Sequence, residues 1–231
     1  MRQPEHKHLT WILVFIACGW VVIAMLLHGC GPSVVACESP DQSGVNRYVV
    51  NGVLSTDRRS TVFVGGLGYC TGTVVGPHTV LTAAHCENLD RVCLNFNTDC
   101  WAVAESIEHP LAVKPGAHDL RILYTEEGLP GPFAAIGNLE DCEYYIVQGW
   151  GIGSNRELHE REINVCRAQH GILWASEGSC NGDSGGPLYC NDNIVGVVSF
   201  GYGEPGVCDG TGGYVNLNAS DHAAWIEENV R

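Results

Sequence analysis

Positive charge is scarce in this chain: its 231 residues hold 12 Lys and Arg against 26 Asp and Glu, a formal net charge of −14. A surface that meets nucleic-acid phosphates needs the opposite balance, so nucleic acid is excluded as a partner. Paired Cys-x2-Cys spacings are missing, and with them the usual sequence form of a zinc site. There is no glycine-rich phosphate loop, internal repeat or low-complexity tract. No metal and no cofactor is expected.

Cysteine, by contrast, is plentiful. Twelve residues without zinc spacing read as disulfides, which form in an oxidising compartment. Hydrophobic residues make up 45% of the chain, enough for a sizeable core, and the length suits one domain built in two halves.

The N-terminus explains how such a chain leaves the cytoplasm. Arg2 and Lys7 precede an uncharged run from Leu9 to Leu27. This reads as a secretory signal or a membrane anchor, since about 20 apolar residues span a bilayer. "LHGC", ending at Cys30, resembles a bacterial lipobox with His28 as an unusual member. Three readings stay open: plain secretion, anchoring through residues 9–27, and lipidation at Cys30. Residues 1–29 are therefore signal or anchor, and the Ser-, Pro- and Gly-rich residues 30–48 a linker or propeptide.

From Arg47 onward short β-branched runs appear, among them "STVFV", "HTVLT", "YYIVQGW" and "NIVGVVSF". Gly, Asn, Asp and Pro separate them at short intervals, the pattern of an all-β sandwich or barrel. One helix is expected at "HAAWIEENV", capped by Ser220 or Asp221. The "NAS" at 218–220 fits a glycosylation sequon, but its place suits the opening of that helix better.

"SCNGDSGGPLYC", residues 179–190, sets Ser184 among three glycines. Glycine at that density costs backbone entropy, so the surround needs a reason. A serine hydroxyl is a poor nucleophile until a base takes its proton. It also needs donors aimed at the oxygen that turns negative when a carbonyl is attacked. A tight turn at "GDSG" would aim the N–H groups of Gly182 and Ser184 at one point. A base and its orienting acid are at hand. His85 ends the apolar run "TVLTAAHC", and Asp119 opens "DLRIL".

"TAAHC", then "DLRIL", then "GDSGGP" resembles the chymotrypsin-like (trypsin fold) serine proteases. "GWG" at 149–151, "SFG" at 199–201 and "AAWI" at 223–226 agree, and the resemblance covers residues 49–231. It implies two six-stranded antiparallel Greek-key β-barrels with a C-terminal α-helix and an active site between the barrels. It also implies Ser184 as nucleophile, His85 as base and then acid, Asp119 as its orienter, and Gly182 and Ser184 as oxyanion hole. The substrate is then a protein or peptide, a protease inhibitor is a second partner, and the molecule works as a monomer. The short loops and the lipobox suggest a bacterial envelope protein.

The same resemblance assigns the remaining positions. Asp183 would pair with a new amino terminus at Val49, freed by cleavage after Tyr48. Cleavage after Arg47 is the alternative, and so is a plain strand and turn at "VVNG" without activation. Gly178 would form the floor of the specificity pocket beside Ser179. Gly201 and Gly212 would be its walls, and Ser199 would bind substrate backbone. An open, uncharged pocket favours a large apolar or aromatic residue before the cleaved bond, while Glu177 offers a route to Arg or Lys. Implied disulfides are Cys70–Cys86, Cys93–Cys100, Cys180–Cys208 and Cys142–Cys190. Cys37 with Cys166 and Cys142 with Cys166 remain alternatives. Arg121 and Trp174 depart from the family pattern, and His109 and His159 read as surface or structural residues. Two rival activities are a catalytically dead relative that serves as a binding module, and an esterase or transferase using the same acyl chemistry.

Overall fold

The computed structural model describes residue 49 and residues 52–151, 154–176, 179–201, 210–219 and 221–231. The N-terminal segment, the linker, Tyr48, Glu177, Gly178 and Cys208 lie outside the described residues. A two-residue strand, β1 (Val53–Leu54), leads into the first half. There β2 (Thr61–Gly66), β3 (Tyr69–Gly76), β4 (Thr79–Thr82), β5 (Leu89–Asn95), β6 (Thr98–Glu108) and β7 (Arg121–Thr125) follow one another. They close into an antiparallel barrel in the order β2-β3-β4-β7-β6-β5. The β5–β6 hairpin is pinned by a disulfide between directly opposed residues, Cys93 and Cys100.

The second half holds β8 (Tyr145–Gly149), β9 (His159–Ile163), β10 (Val165–Gln169), β11 (Ile172–Ala175), β12 (Pro187–Cys190), β13 (Asn193–Gly201) and β14 (Gly212–Asn216). Six strands are expected here, and the structure has more. Its sheet runs β1-β9-β8-β12-β13-β14-β11-β10, eight strands in all. Only Asn164 separates β9 from β10, although they lie near opposite ends of that order. A one-residue link between distant strands makes the sheet curl round on itself, so the second half is barrel-like too. The β10–β11 turn, His170-Gly171, has φ of 52° and 76°, the positive pair that a tight hairpin of right-handed twist needs.

The sole α-helix among the described residues, α1 (His222–Asn229), buries His222 and Ile226, four apart on one face. One apolar core runs through both halves, joining Val62, Leu81 and Ile122 to Tyr189, Val197 and Ile226.

A polar seam crosses the same boundary. Thr61 Oγ1 donates to Gln148 Oε1 at 2.6 Å, so its only proton is committed. The Tyr189 hydroxyl, 3.1 Å from Thr61 Oγ1, must therefore donate there, and it accepts the Ser60 N–H at 3.2 Å. Burial pushes the Tyr189 phenol up to about 12, so it stays neutral. Tyr189→Phe strands both partners without water. It is expected to lower the free energy of unfolding by about 1–3 kcal/mol, read from urea denaturation, with the denaturant dependence unchanged.

Candidate active site

β4 runs fully buried to Thr82 and delivers the chain into a tight turn, closed by the Cys86 N–H on the Ala83 carbonyl at 3.2 Å. The Cys70–Cys86 disulfide fastens that turn to β3. His85 stands at its tip, with its side chain 26% exposed. Arg121, on the neighbouring strand, donates to the Ala84 carbonyl at 3.0 Å and so steadies the turn.

Asp119 precedes β7 and is wholly buried. Its Oδ1 accepts the His85 N–H at 2.8 Å. Its Oδ2 accepts from His85 Nδ1 at 2.6 Å and from the Ser199 hydroxyl at 2.7 Å. A carboxylate only accepts, so Nδ1 carries the ring proton and Nε2 is left as a bare base. Ser199 is itself placed by the Gly116 N–H, which donates to its Oγ at 3.1 Å.

The turn at Ser184 needs its glycines. Gly182 has φ +96° and Gly185 φ +79°, where side chains are strained. A Cβ on Gly185 would lie 2.0 Å from Thr82 Oγ1 and 2.5 Å from the Thr71 carbonyl. Thr71 clamps the turn twice. Its N–H donates to the Ser184 carbonyl at 2.8 Å, and its Oγ1 to the Gly182 carbonyl at 2.9 Å. The N–H groups of Gly182 and Ser184 donate to no protein acceptor among the described residues. The Ser184 hydroxyl makes no hydrogen bond with His85 among those residues, a contact that tightens in many enzymes only when substrate arrives.

Asp183 points the other way, into the interior, with no exposed surface. It accepts the N–H of Gly151 at 2.7 Å, of Cys180 at 2.8 Å, and of Val49. Removal from water pushes its carboxyl up to about 7, against the pull of these three donors. Val49 is itself fully buried. A Cβ on Gly149 or Gly151 would meet the carboxylate at 2.1 or 2.7 Å, which is why "GWG" carries no side chain at either end.

Among the pocket residues, Gly201 and Gly212 face each other across the β13–β14 ladder. A Cβ on Gly201 would find its nearest neighbour among the described residues, the Ser179 carbonyl, 3.9 Å away, so no described residue fills the space beside it. Ser179 hydrogen-bonds the buried Tyr214 hydroxyl. The ladder slips between Val198 and Phe200, which leaves Ser199 without a partner on β14.

Disulfides join Cys70 to Cys86, Cys93 to Cys100 and Cys142 to Cys190. The Cys142–Cys190 bond removes the alternative pairing of Cys142 with Cys166. Cys166 and Cys180 are also disulfide-bonded. Trp174 packs edge-on against Phe200 at 5.6 Å, with the Arg167 guanidinium 4.8 Å from its ring.

Reading the sequence missed three arrangements. The Ser199 hydroxyl serves Asp119, Arg121 reaches back to Ala84, and His109, His118 and His222 converge from three separate segments. Only Arg121 had a trace in the sequence, as a departure from the family pattern. His109 and His159 are both buried.

The trypsin family profile matches residues 49–226. Human kallikrein-4 is 28% identical over 200 residues, which cover 71% of this chain and 78% of that protein. Snake venom serine proteinase 14 of Crotalus adamanteus is 28% identical over 202 residues, 70% of this chain and 74% of its own length. Among solved structures, neuropsin, a serine protease expressed in the limbic system of mouse brain, superposes with a TM-score of 0.67 at 22% identity. That superposition covers 77% of this chain and 98% of neuropsin.

Asp183 gives the uncleaved chain a pH signature. Its folded pKa lies above its unfolded value of 3.8, so its contribution to stability is full below that value and is lost as pH rises through about 7. The loss is on the order of a few kcal/mol. Unfolding of intact Ser184→Ala chain between pH 4 and 8.5 is expected to show this decline, and Asp183→Asn to show a flatter profile.

Proposed function

The chain belongs to the trypsin family of chymotrypsin-like serine endopeptidases, and on that premise we propose that it cleaves peptide bonds through Ser184, His85 and Asp119. His85 Nε2 takes the proton from Ser184 Oγ as the oxygen attacks the substrate carbonyl. The carbonyl oxygen becomes negative and is met by the N–H groups of Gly182 and Ser184. Asp119 holds the imidazolium, which then protonates the leaving amine. Water, activated by the same His85, splits the acyl-enzyme and regenerates Ser184. The observation that supports this most is the fixed tautomer of His85, whose Nδ1 proton is bound by buried Asp119 so that the bare nitrogen faces outward.

Residues 49–231 form the protease domain in this reading, residues 1–29 are a signal or anchor, and residues 30–48 are a propeptide released by cleavage before Val49. The Val49 amide already donates to Asp183. Cleavage would turn that neutral donor into an ammonium, which matches a buried carboxylate far better. The disulfides support an oxidising compartment outside the cytoplasm. The space that no described residue fills beside Gly201 supports a preference for a large apolar or aromatic residue before the cleaved bond. Ser199, unpaired on its strand, has backbone groups for an extended substrate.

The test incubates full chain, disulfides intact, with chromogenic peptides bearing Phe, Tyr, Leu, Ala, Arg or Lys before the cleaved bond. The chain's own N-terminus is sequenced alongside. Turnover after Phe or Tyr, with Val49 as the new N-terminus, is expected. Ser184→Ala should give no burst and no turnover, and Asp119→Asn should lower kcat roughly 10⁴-fold. Turnover after Arg or Lys alone overturns the pocket reading. A chain that begins at Val49 and cleaves nothing overturns the protease reading.

A further inference from the structure

Next to Asp119 in the chain, at His118, begins a second cluster of chemistry-bearing side chains that the triad does not use. His109 comes from the segment after β6, His118 directly precedes Asp119, and Asp221 and His222 open α1. Each offers one ligand atom, and these atoms all lie within 4.8 Å of one another. We propose that His109, His118, Asp221 and His222 bind a divalent transition-metal ion of the zinc class, tying the segment that carries Asp119 to α1.

Three observations carry this. First, the donors are prepared. The His222 Nδ1 lies 2.7 Å from the Asn216 carbonyl, which can only accept, so Nδ1 is protonated and Nε2 carries the lone pair. A ring fixed through Nδ1–H on a carbonyl is the arrangement that presents Nε2 to a metal. That Nε2 accepts the Nδ1–H of His118 at 2.8 Å, and a metal between the two displaces this proton, which moves to the other ring nitrogen of His118. Second, the cluster holds an unanswered group. His109 is 2% exposed, and its Nε2 finds no hydrogen-bond partner among the described residues. A buried polar atom without a partner is rare and calls for a ligand. Third, Asp221 occupies the N-cap position of α1 yet makes no side-chain capping bond. Its Oδ2 lies 4.0 Å from His109 Nε2, too far for a hydrogen bond and close enough to share an ion.

The donor set selects the ion. Three imidazoles and one carboxylate suit zinc, cobalt or nickel rather than calcium or magnesium, which take oxygen. Ligand atoms around tetrahedral zinc stand about 3.3 Å apart, as follows from bonds of 2.0–2.1 Å. The 2.8 and 4.0 Å separations here bracket that value. His109 accepts a long contact from the Leu111 N–H on Nδ1, at 3.2 Å. Metal at Nε2 moves the ring proton to Nδ1 and gives that contact up. Half-buried His118 and exposed Asp221 leave a way in from solvent.

The test uses full, untagged chain carrying Ser184→Ala, stripped with a chelator. Zinc titration by calorimetry is read together with cobalt absorption, which is intense in the visible only for four-coordinate ions. One ion per chain, the four-coordinate spectrum and an unfolding temperature raised by zinc but not magnesium are expected. His118→Asn and Asp221→Asn, with folding checked by circular dichroism, should each weaken binding at least tenfold. His222→Gln should abolish it if that chain folds. Binding that survives His118→Asn and Asp221→Asn but vanishes with His85→Gln would put the ion on the triad and overturn the proposal. So would the absence of binding at micromolar zinc. None of these readouts depends on peptidase activity.

Discussion

Taking a carboxylate wholly out of water costs several kcal/mol unless donors replace its hydration. Asp183 is in that position, and only three neutral N–H groups answer it. The glycines at 149 and 151 exist to let the backbone come that close. Gly182 and Ser184 flank the same residue, so where Asp183 settles decides where their N–H groups point. The conformation of the reactive turn is thus coupled to a charge balance made in the interior.

Asp119 solves the same problem differently. Its buried carboxylate is satisfied twice by His85 and once by Ser199. His85 comes from the first barrel and Ser199 from the second sheet, so the carboxylate joins the two halves. The β13 slip that frees the Ser199 backbone also turns its hydroxyl inward to this contact. One irregular residue therefore touches the buried acid with its side chain while its backbone stands outside the β14 pairing.

Some of this was legible in the sequence because the chemistry is local. "TAAHC" and "GDSGGP" each pack a side chain with the backbone features it requires, and the alternating β-branched runs marked the strands. The family assignment followed from those. The second sheet was harder. Only Asn164 parts β9 from β10, and nothing local says that the chain changes neighbours there. His109, His118 and His222 were invisible as a group for a plainer reason. Pairing between segments up to about a hundred positions apart leaves no period to read, and His222 to His118 spans 104. Arg121 stood out as an odd residue, but its partner, the Ala84 carbonyl, is a backbone group that sequence does not display.

The first barrel also borrows atoms from far downstream. The Tyr124 hydroxyl donates to the Asn229 carbonyl at 2.9 Å, and the His78 N–H and Thr79 hydroxyl donate to the Arg231 carbonyl at 3.0 and 3.1 Å. The Arg231 guanidinium lies 3.6 Å over the Tyr124 ring. Those contacts span 105 and 152 positions. A nascent chain that has just extruded β7 therefore carries a barrel whose outer wall has only water to bond. The ribosome must finish the second sheet and α1 before the first half is sealed, so the two halves mature together although they are made in sequence.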